Sequence, residues 1–117
     1  MRVVLIINDA PYGTEKAYNG LRLAMALQRE HDDVQIAIFL MADAVICALP
    51  DQTTANGYYN IGRMLRAVIG KGGEVKACGT CVQARGLTDL PLLEGVEIST
   101  MSQLAQWVVD ADRVITF

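Results

Sequence analysis

Apolar and polar positions along the chain switch repeatedly between a strand pattern and a helix pattern. Val3–Ile7 is an uninterrupted apolar run stopped by Asn8, which predicts a buried first strand over Arg2–Asn8. Asp9–Gly13 contains Pro11 and Gly13 and reads as a turn. Thr14 then stands where an N-cap belongs, with Glu15 in the first turn of the helix behind it. Leu21, Ala24, Met25 and Gln28 follow at helical spacing, Leu23 and Leu27 widen the apolar face, and the polar stretch Arg29–Asp33 closes the helix.

Val34–Met41 predicts the second strand, and Ala42–Leu49 a short helix carrying Asp43 and Cys47. Pro50–Gly57 has loop composition. Ile61, Met64, Leu65 and Val68 mark the next helix, which Gly70, Gly72 and Gly73 end. Glu74–Cys78 is a short third strand, and Gly79–Gly86 a tight segment with room for a helical turn. Val96–Ser99 predicts the fourth strand. Thr100 and Gln103 have the spacing of a capping box before a helix with Leu104, Trp107, Val108 and Ala111 on one face. Arg113–Phe117 predicts the fifth strand.

Strands separated by helices imply right-handed crossovers, hence one α/β domain over residues 1–117 with a mostly parallel sheet covered on both faces. In such sheets ligands bind beyond the carboxyl ends of the strands. Those ends supply Asn8 and Asp9, then Met41 and Asp43, then Cys78.

Composition adds an apolar surplus and removes several classes of partner. Hydrophobic residues make up 52% of the 117, and mean hydropathy is +0.27 in a chain whose size leaves much of it at the surface. That surplus points to burial against another subunit. Net charge is −3 and no Lys/Arg cluster stands out, so nucleic acid and anionic membrane are not expected partners. No run approaches the roughly 20 apolar residues of a membrane span. Val3–Ile7 is shorter than the roughly 7–15 residues of a signal-peptide core. The expected compartment is the cytoplasm, where disulfides are rare, and three cysteines do not describe a disulfide framework.

Cys78-Gly79-Thr80-Cys81 is the most informative tetrad. The thiolate is the reactive form of cysteine, and a helical turn or a nearby cation favours it. Both are at hand, since Cys78 precedes a candidate turn and Arg85 lies seven residues on. Gly79 allows close backbone approach to a bound anion or sulfur species. Zinc is not expected, because the tetrad offers two ligands where a structural site needs four, and His31 is the lone histidine, at a polar corner. Three readings stay open: a dithiol redox pair, a sulfur carrier with Cys78 as persulfide and Cys81 as neighbour or resolving thiol, and a pair of inert, half-buried thiols. Cys47, among Val45, Ile46, Ala48 and Leu49, reads as core. Asn8, Asp43 and Tyr59 are candidates for shaping a pocket near Cys78. Pro11-Tyr12-Gly13-Thr14 lacks the repeated glycines of a phosphate loop, and no cofactor is expected.

Taken in order, several segments resemble the DsrE/DsrF-like family, most closely its YchN-type branch. They are Ala10–Gly13, Leu21–Ala24, Phe39–Val45, Gly57–Ile61, the Cys78–Cys81 tetrad with Arg85-Gly86, Gly95–Ile98, Leu104–Trp107 and the terminal Thr116-Phe117. The resemblance implies a three-layer α/β/α domain with a mainly parallel five-stranded sheet, assembled into hexamers, with a homo-oligomer as the expected form. Its sulfur-relay members carry a cysteine eight residues before the glycine of an Arg-Gly pair, the spacing of Cys78 to Gly86. The persulfide-carrier role of a possible sulfurtransferase therefore falls on Cys78, with Arg85 as thiolate partner and sulfur donor and acceptor proteins as partners. Cys81 is outside that relay pattern. The competing implication is an oligomeric protein that binds a small ligand or partner at the same strand ends without chemistry.

Overall fold

The computed structural model describes residues 1–117. Five strands, β1 (Arg2–Ile7), β2 (Gln35–Leu40), β3 (Glu74–Cys78), β4 (Val96–Ser99) and β5 (Arg113–Thr116), form one sheet in the order β4-β3-β2-β1-β5. All four pairings are parallel. The helices are α1 (Lys16–Glu30), α2 (Ile61–Gly70), α3 (Gly79–Ala84) and α4 (Met101–Asp110), with a 3₁₀ segment over Ala42–Ala48.

The sheet separates two helical layers. Alternate residues of a strand point to opposite faces, and the register places Phe39 beside Ile6 and Lys76. On that face Phe39 meets Trp107 of α4 edge-on, with ring centroids 5.8 Å apart. The cations of Arg2 and Lys76 lie over the same indole at 5.2 and 5.8 Å. The opposite face carries Ile7, which packs beside Gly20 of α1, and α2 lies alongside α1. The core between sheet and helices is apolar throughout, with Leu5, Ile7, Leu21, Ile38, Phe39, Leu40, Ile61 and Leu65 fully buried.

Several expectations are corrected at the element ends. Thr14 does not cap α1. The helix starts at Lys16 with Glu15 in the N-cap position, and the Thr14 hydroxyl, one residue earlier, accepts the Lys16 N–H at 3.4 Å while donating to the Asp9 carboxylate at 2.8 Å. Asn60 caps α2 by accepting the Arg63 N–H at 2.9 Å, and Thr100 caps α4 by accepting the Gln103 N–H at 3.2 Å. Gly72, at φ +88°, lets the chain reverse after α2 and enter β3. The sheet is also less covered than expected. A ten-residue helix is about 15 Å long, and α4 alone cannot shield five strands. Val108, assigned to its buried face, is 42% exposed, and Ile98 of β4 and Val114 of β5 are exposed as well.

Candidate functional site

The carboxyl ends of β2, β3 and β4 meet at the cysteine tetrad. β3 ends at Cys78, whose extended backbone makes it the N-cap of α3. Its sulfur accepts the Cys81 N–H at 3.3 Å and lies 3.2 Å from the Thr80 hydroxyl. A Cβ at residue 79 would stand 3.1 Å from Ile98 Cγ2 and 3.2 Å from the Ser99 carbonyl oxygen, so a glycine there lets the end of β4 close on the turn. Between these ends opens a cleft of about 320 Å³, walled by Cys78, Gly79, Thr80 and Gln83 on one side and by Ile98–Met101 on the other. Cys78 is 5% exposed and is part of the cleft wall.

The second thiol lies on the β2 side of Cys78. Cys81 Sγ accepts the N–H of Ala42, just past the end of β2, at 3.2 Å. Ala42 has φ +51°, a left-handed conformation unusual for a residue with a Cβ. Arg85 donates from Nε to Asp43 Oδ1 at 2.8 Å and from Nη1 to the Cys81 carbonyl at 3.0 Å. Residues 42–43 are thereby joined to the cysteine turn by two contacts, Ala42 to Cys81 and Asp43 to Arg85.

Electrostatics separate the two thiols. Burial raises the Cys78 pKa, but hydrogen bonds from the Cys81 and Thr80 side chains and from their N–H groups outweigh it and hold the thiol below its ordinary value of 9.0. For Cys81, burial and the hydrogen bond it shares with Cys78 push the pKa up, against the opposing Ala42 N–H and Arg85 charge. Of the pair, Cys78 is therefore the thiol that gives up its proton more readily, and Cys81 the one that keeps it. Cys47 lies in the core, as read from its neighbours, and burial pushes its thiol up to about 12.

Of the residues singled out from sequence, Cys78, Cys81, Gly79, Asp43 and Arg85 come together. Asn8 and Tyr59 do not join them. β2 stands between β1 and β3, and the Asn8 side-chain amide donates to the Phe117 carbonyl at 3.3 Å. Tyr59 stacks on Tyr18 and Tyr58, with centroids 4.0 and 4.7 Å away, and its hydroxyl donates to the Thr14 carbonyl. Arg85 is placed differently from expectation, because its charge is turned to Asp43 and Cys81 and it makes no hydrogen bond to the Cys78 sulfur. The Thr80 hydroxyl takes up that role. Thr80 was visible in the tetrad as a hydroxyl two residues after a cysteine, whereas the Ala42 N–H had no sequence signal.

The pair can be read out by alkylation. Iodoacetamide mapping by peptide mass is expected to label Cys78 first and to leave Cys47 unmodified until the chain unfolds. The rate at Cys78 should fall with acidification only below the inflection of an ordinary cysteine, since a depressed pKa preserves thiolate to lower pH. Thr80→Val should move that inflection upward. An inflection at or above the free-cysteine value in the unsubstituted protein would remove the thiolate assignment.

Fold and site together define a class: an α/β protein that presents a strand-end cysteine of lowered pKa at a small cleft. The chain belongs to the DsrE/DsrF-like family, whose profile matches residues 1–117. Protein YchN of Escherichia coli K12 is 45% identical over 116 residues, spanning 99% of this chain and 98% of that protein. The crystal structure of the E. coli ychN protein superposes with a TM-score of 0.94 over 99% of this chain and 98% of that one. A more distant relative, sulfurtransferase TusD of Pectobacterium carotovorum, is 30% identical over 127 residues, covering 97% of this chain and 96% of its own length.

Proposed function

We propose that this chain is a sulfur-relay protein that carries sulfane sulfur as a persulfide on Cys78. The observation that carries the reading is the Cys78 sulfur itself, stabilised as thiolate by the Cys81 N–H and the Thr80 hydroxyl and opening on a cleft. The relationship to a sulfurtransferase across almost the whole chain supports it. In the first step the Cys78 thiolate attacks the outer sulfur of a donor persulfide. A bond forms from Cys78 Sγ to that sulfur, the donor's S–S bond breaks, and the donor leaves as a thiolate. In the second step an acceptor thiolate attacks the sulfur held on Cys78, and the Cys78 thiolate is restored. The sequence is a transfer without net oxidation, so it needs no cofactor. One water occupies about 30 Å³ of liquid, so a cleft of about 320 Å³ admits the sulfur together with the end of a donor or acceptor segment.

The reading includes a compartment and an assembly. Three free cysteines would persist as thiols in a reducing environment, which supports a cytoplasmic setting for the chemistry. No helix is long and apolar enough to cross a membrane. Met101 and Val109 of α4 are 60% and 78% exposed, beside the uncovered Ile98. Ile98 and Met101 also wall the cleft. A homo-oligomer, by family resemblance a hexamer, would cover these side chains. Light scattering of the purified chain is expected to give a multiple of 12.7 kDa, and a monomer at micromolar concentration would count against this part.

The direct test of the carrier is intact mass after brief anaerobic exposure to glutathione persulfide, with no reductant present. The expected result is sulfur gained at Cys78 alone, read on Cys81→Ser as the mass of one added sulfur atom. Absence of any sulfur adduct, with the thiols verified as reduced, would leave a binding role at the same strand ends.

A further inference from the structure

Cys78 stands between an open space and a second thiol. The cleft lies on the β4 side of β3, walled by Ile98–Met101. Cys81 lies on the β2 side, where its sulfur meets the Ala42 N–H. β3 runs between β2 and β4 in the sheet, so the two features flank Cys78 from opposite directions. Cys78 lines the cleft, so a sulfur atom added to it has room on the side away from Cys81. Thiol–disulfide exchange needs the attacking sulfur opposite the group that leaves.

Resting on the persulfide reading, we infer that Cys81 is a resolving thiol, which attacks the inner sulfur of a Cys78 persulfide and discharges the outer sulfur as sulfide. A bond forms between Cys81 Sγ and Cys78 Sγ, and the bond from Cys78 Sγ to the outer sulfur breaks. The outer sulfur departs with the electron pair and takes up the proton given by the Cys81 thiol. The dithiol is oxidised to a disulfide by two electrons and the sulfane sulfur is reduced to sulfide. An external dithiol reductant returns the pair to its starting state. Sulfur claimed quickly by an acceptor is transferred, and sulfur left unclaimed leaves as sulfide.

Independent features of the site fit this role. Once Cys78 carries a persulfide, negative charge resides on the outer sulfur in the cleft, and Cys81 no longer faces a thiolate. The Ala42 N–H at 3.2 Å then stabilises the thiolate forming on Cys81, and Arg85, bound to the Cys81 carbonyl, adds its charge nearby. The N–H that serves Cys81 belongs to a non-glycine residue at φ +51°. Such a conformation costs on the order of 1–3 kcal/mol and persists where its surroundings enforce it, commonly at functional sites. The Asp43–Arg85 pair at 2.8 Å is formed by the very next residue.

The test follows sulfur after loading. The full-length protein is treated anaerobically with glutathione persulfide and desalted rapidly, and sulfide in the eluate is measured with time beside intact mass. Unsubstituted protein is expected to release about one sulfide per chain and to end two hydrogens lighter than the reduced form. Cys81→Ser, whose hydroxyl still accepts the Ala42 N–H, is expected to hold its sulfur and release sulfide only at background. Equal retention of sulfur by the two proteins overturns the resolving role and leaves the carrier intact. Disulfide without matching sulfide also overturns it, in favour of direct dithiol oxidation. No sulfur on Cys81→Ser overturns the carrier, and the inference with it.

Discussion

A Cys78→Ser protein is expected to emerge from persulfide treatment with its mass unchanged and its fold retained. The chemical half rests on the thiolate: a serine hydroxyl stays protonated at neutral pH, and nothing beside residue 78 can take its proton as a strong base would. The structural half rests on the cap. Cys78 is the N-cap of α3 and accepts the Cys81 N–H, a role for which serine is among the preferred residues. The exchange nearly conserves volume and the serine hydroxyl can keep the cap hydrogen bond, so the fold should be retained. Thermal melting would confirm the second half and intact mass the first. Sulfur uptake that survives in this variant would move the carrier to another residue. The remaining thiols provide the internal control, because Cys47 is sealed in the core and burial keeps the Cys81 pKa above its ordinary value.

The elements were legible in the chain because their signals are local. Val3–Ile7 reads as a doubly buried strand from five consecutive apolar residues, and it is one. Thr100 and Gln103 announced the start of α4 through spacing alone. The site was only half legible, because assembling it requires the strand order. The carboxyl ends of the first three strands were all candidates to meet, yet in the order β4-β3-β2-β1-β5 the first strand is insulated from the third by the second. Asn8 therefore finds Phe117 as its partner, while Asp43 reaches the cysteine turn. Arg85 shows a second limit. Seven residues of separation place a cation near Cys78 without saying where its guanidinium points, and a carboxylate 42 residues earlier takes it. Ala42 shows a third. A left-handed backbone usually announces itself through glycine or asparagine, and an alanine in that conformation leaves no mark in the sequence.

The largest stability effect is expected at Phe39. Its ring is fully buried on the α4 face of β2 and meets Trp107 edge-on at 5.8 Å. Phe39→Ala removes the ring and leaves a cavity that α4, the one helix on that face, cannot collapse to fill without losing its own contacts. Large-to-small aromatic changes in cores cost about 3–5 kcal/mol, a large share of the roughly 5–15 kcal/mol that stabilises a domain. For a chain of this length each kcal/mol corresponds to roughly 3–6 °C, so the midpoint should fall by about 10–25 °C. Phe39→Leu keeps much of the volume and should lose far less. The cysteine site, by contrast, should hold at temperatures below the lowered midpoint. β2 and β3 are joined through backbone pairing from Ala37↔Glu74 to Leu40↔Ala77, which the side chain of residue 39 does not supply. In Phe39→Ala the pH inflection of Cys78 alkylation should match that of the unsubstituted protein while the melting curve shifts. A shift in both would mean that the thiolate depends on core packing beneath the sheet as well as on the hydrogen bonds of the turn.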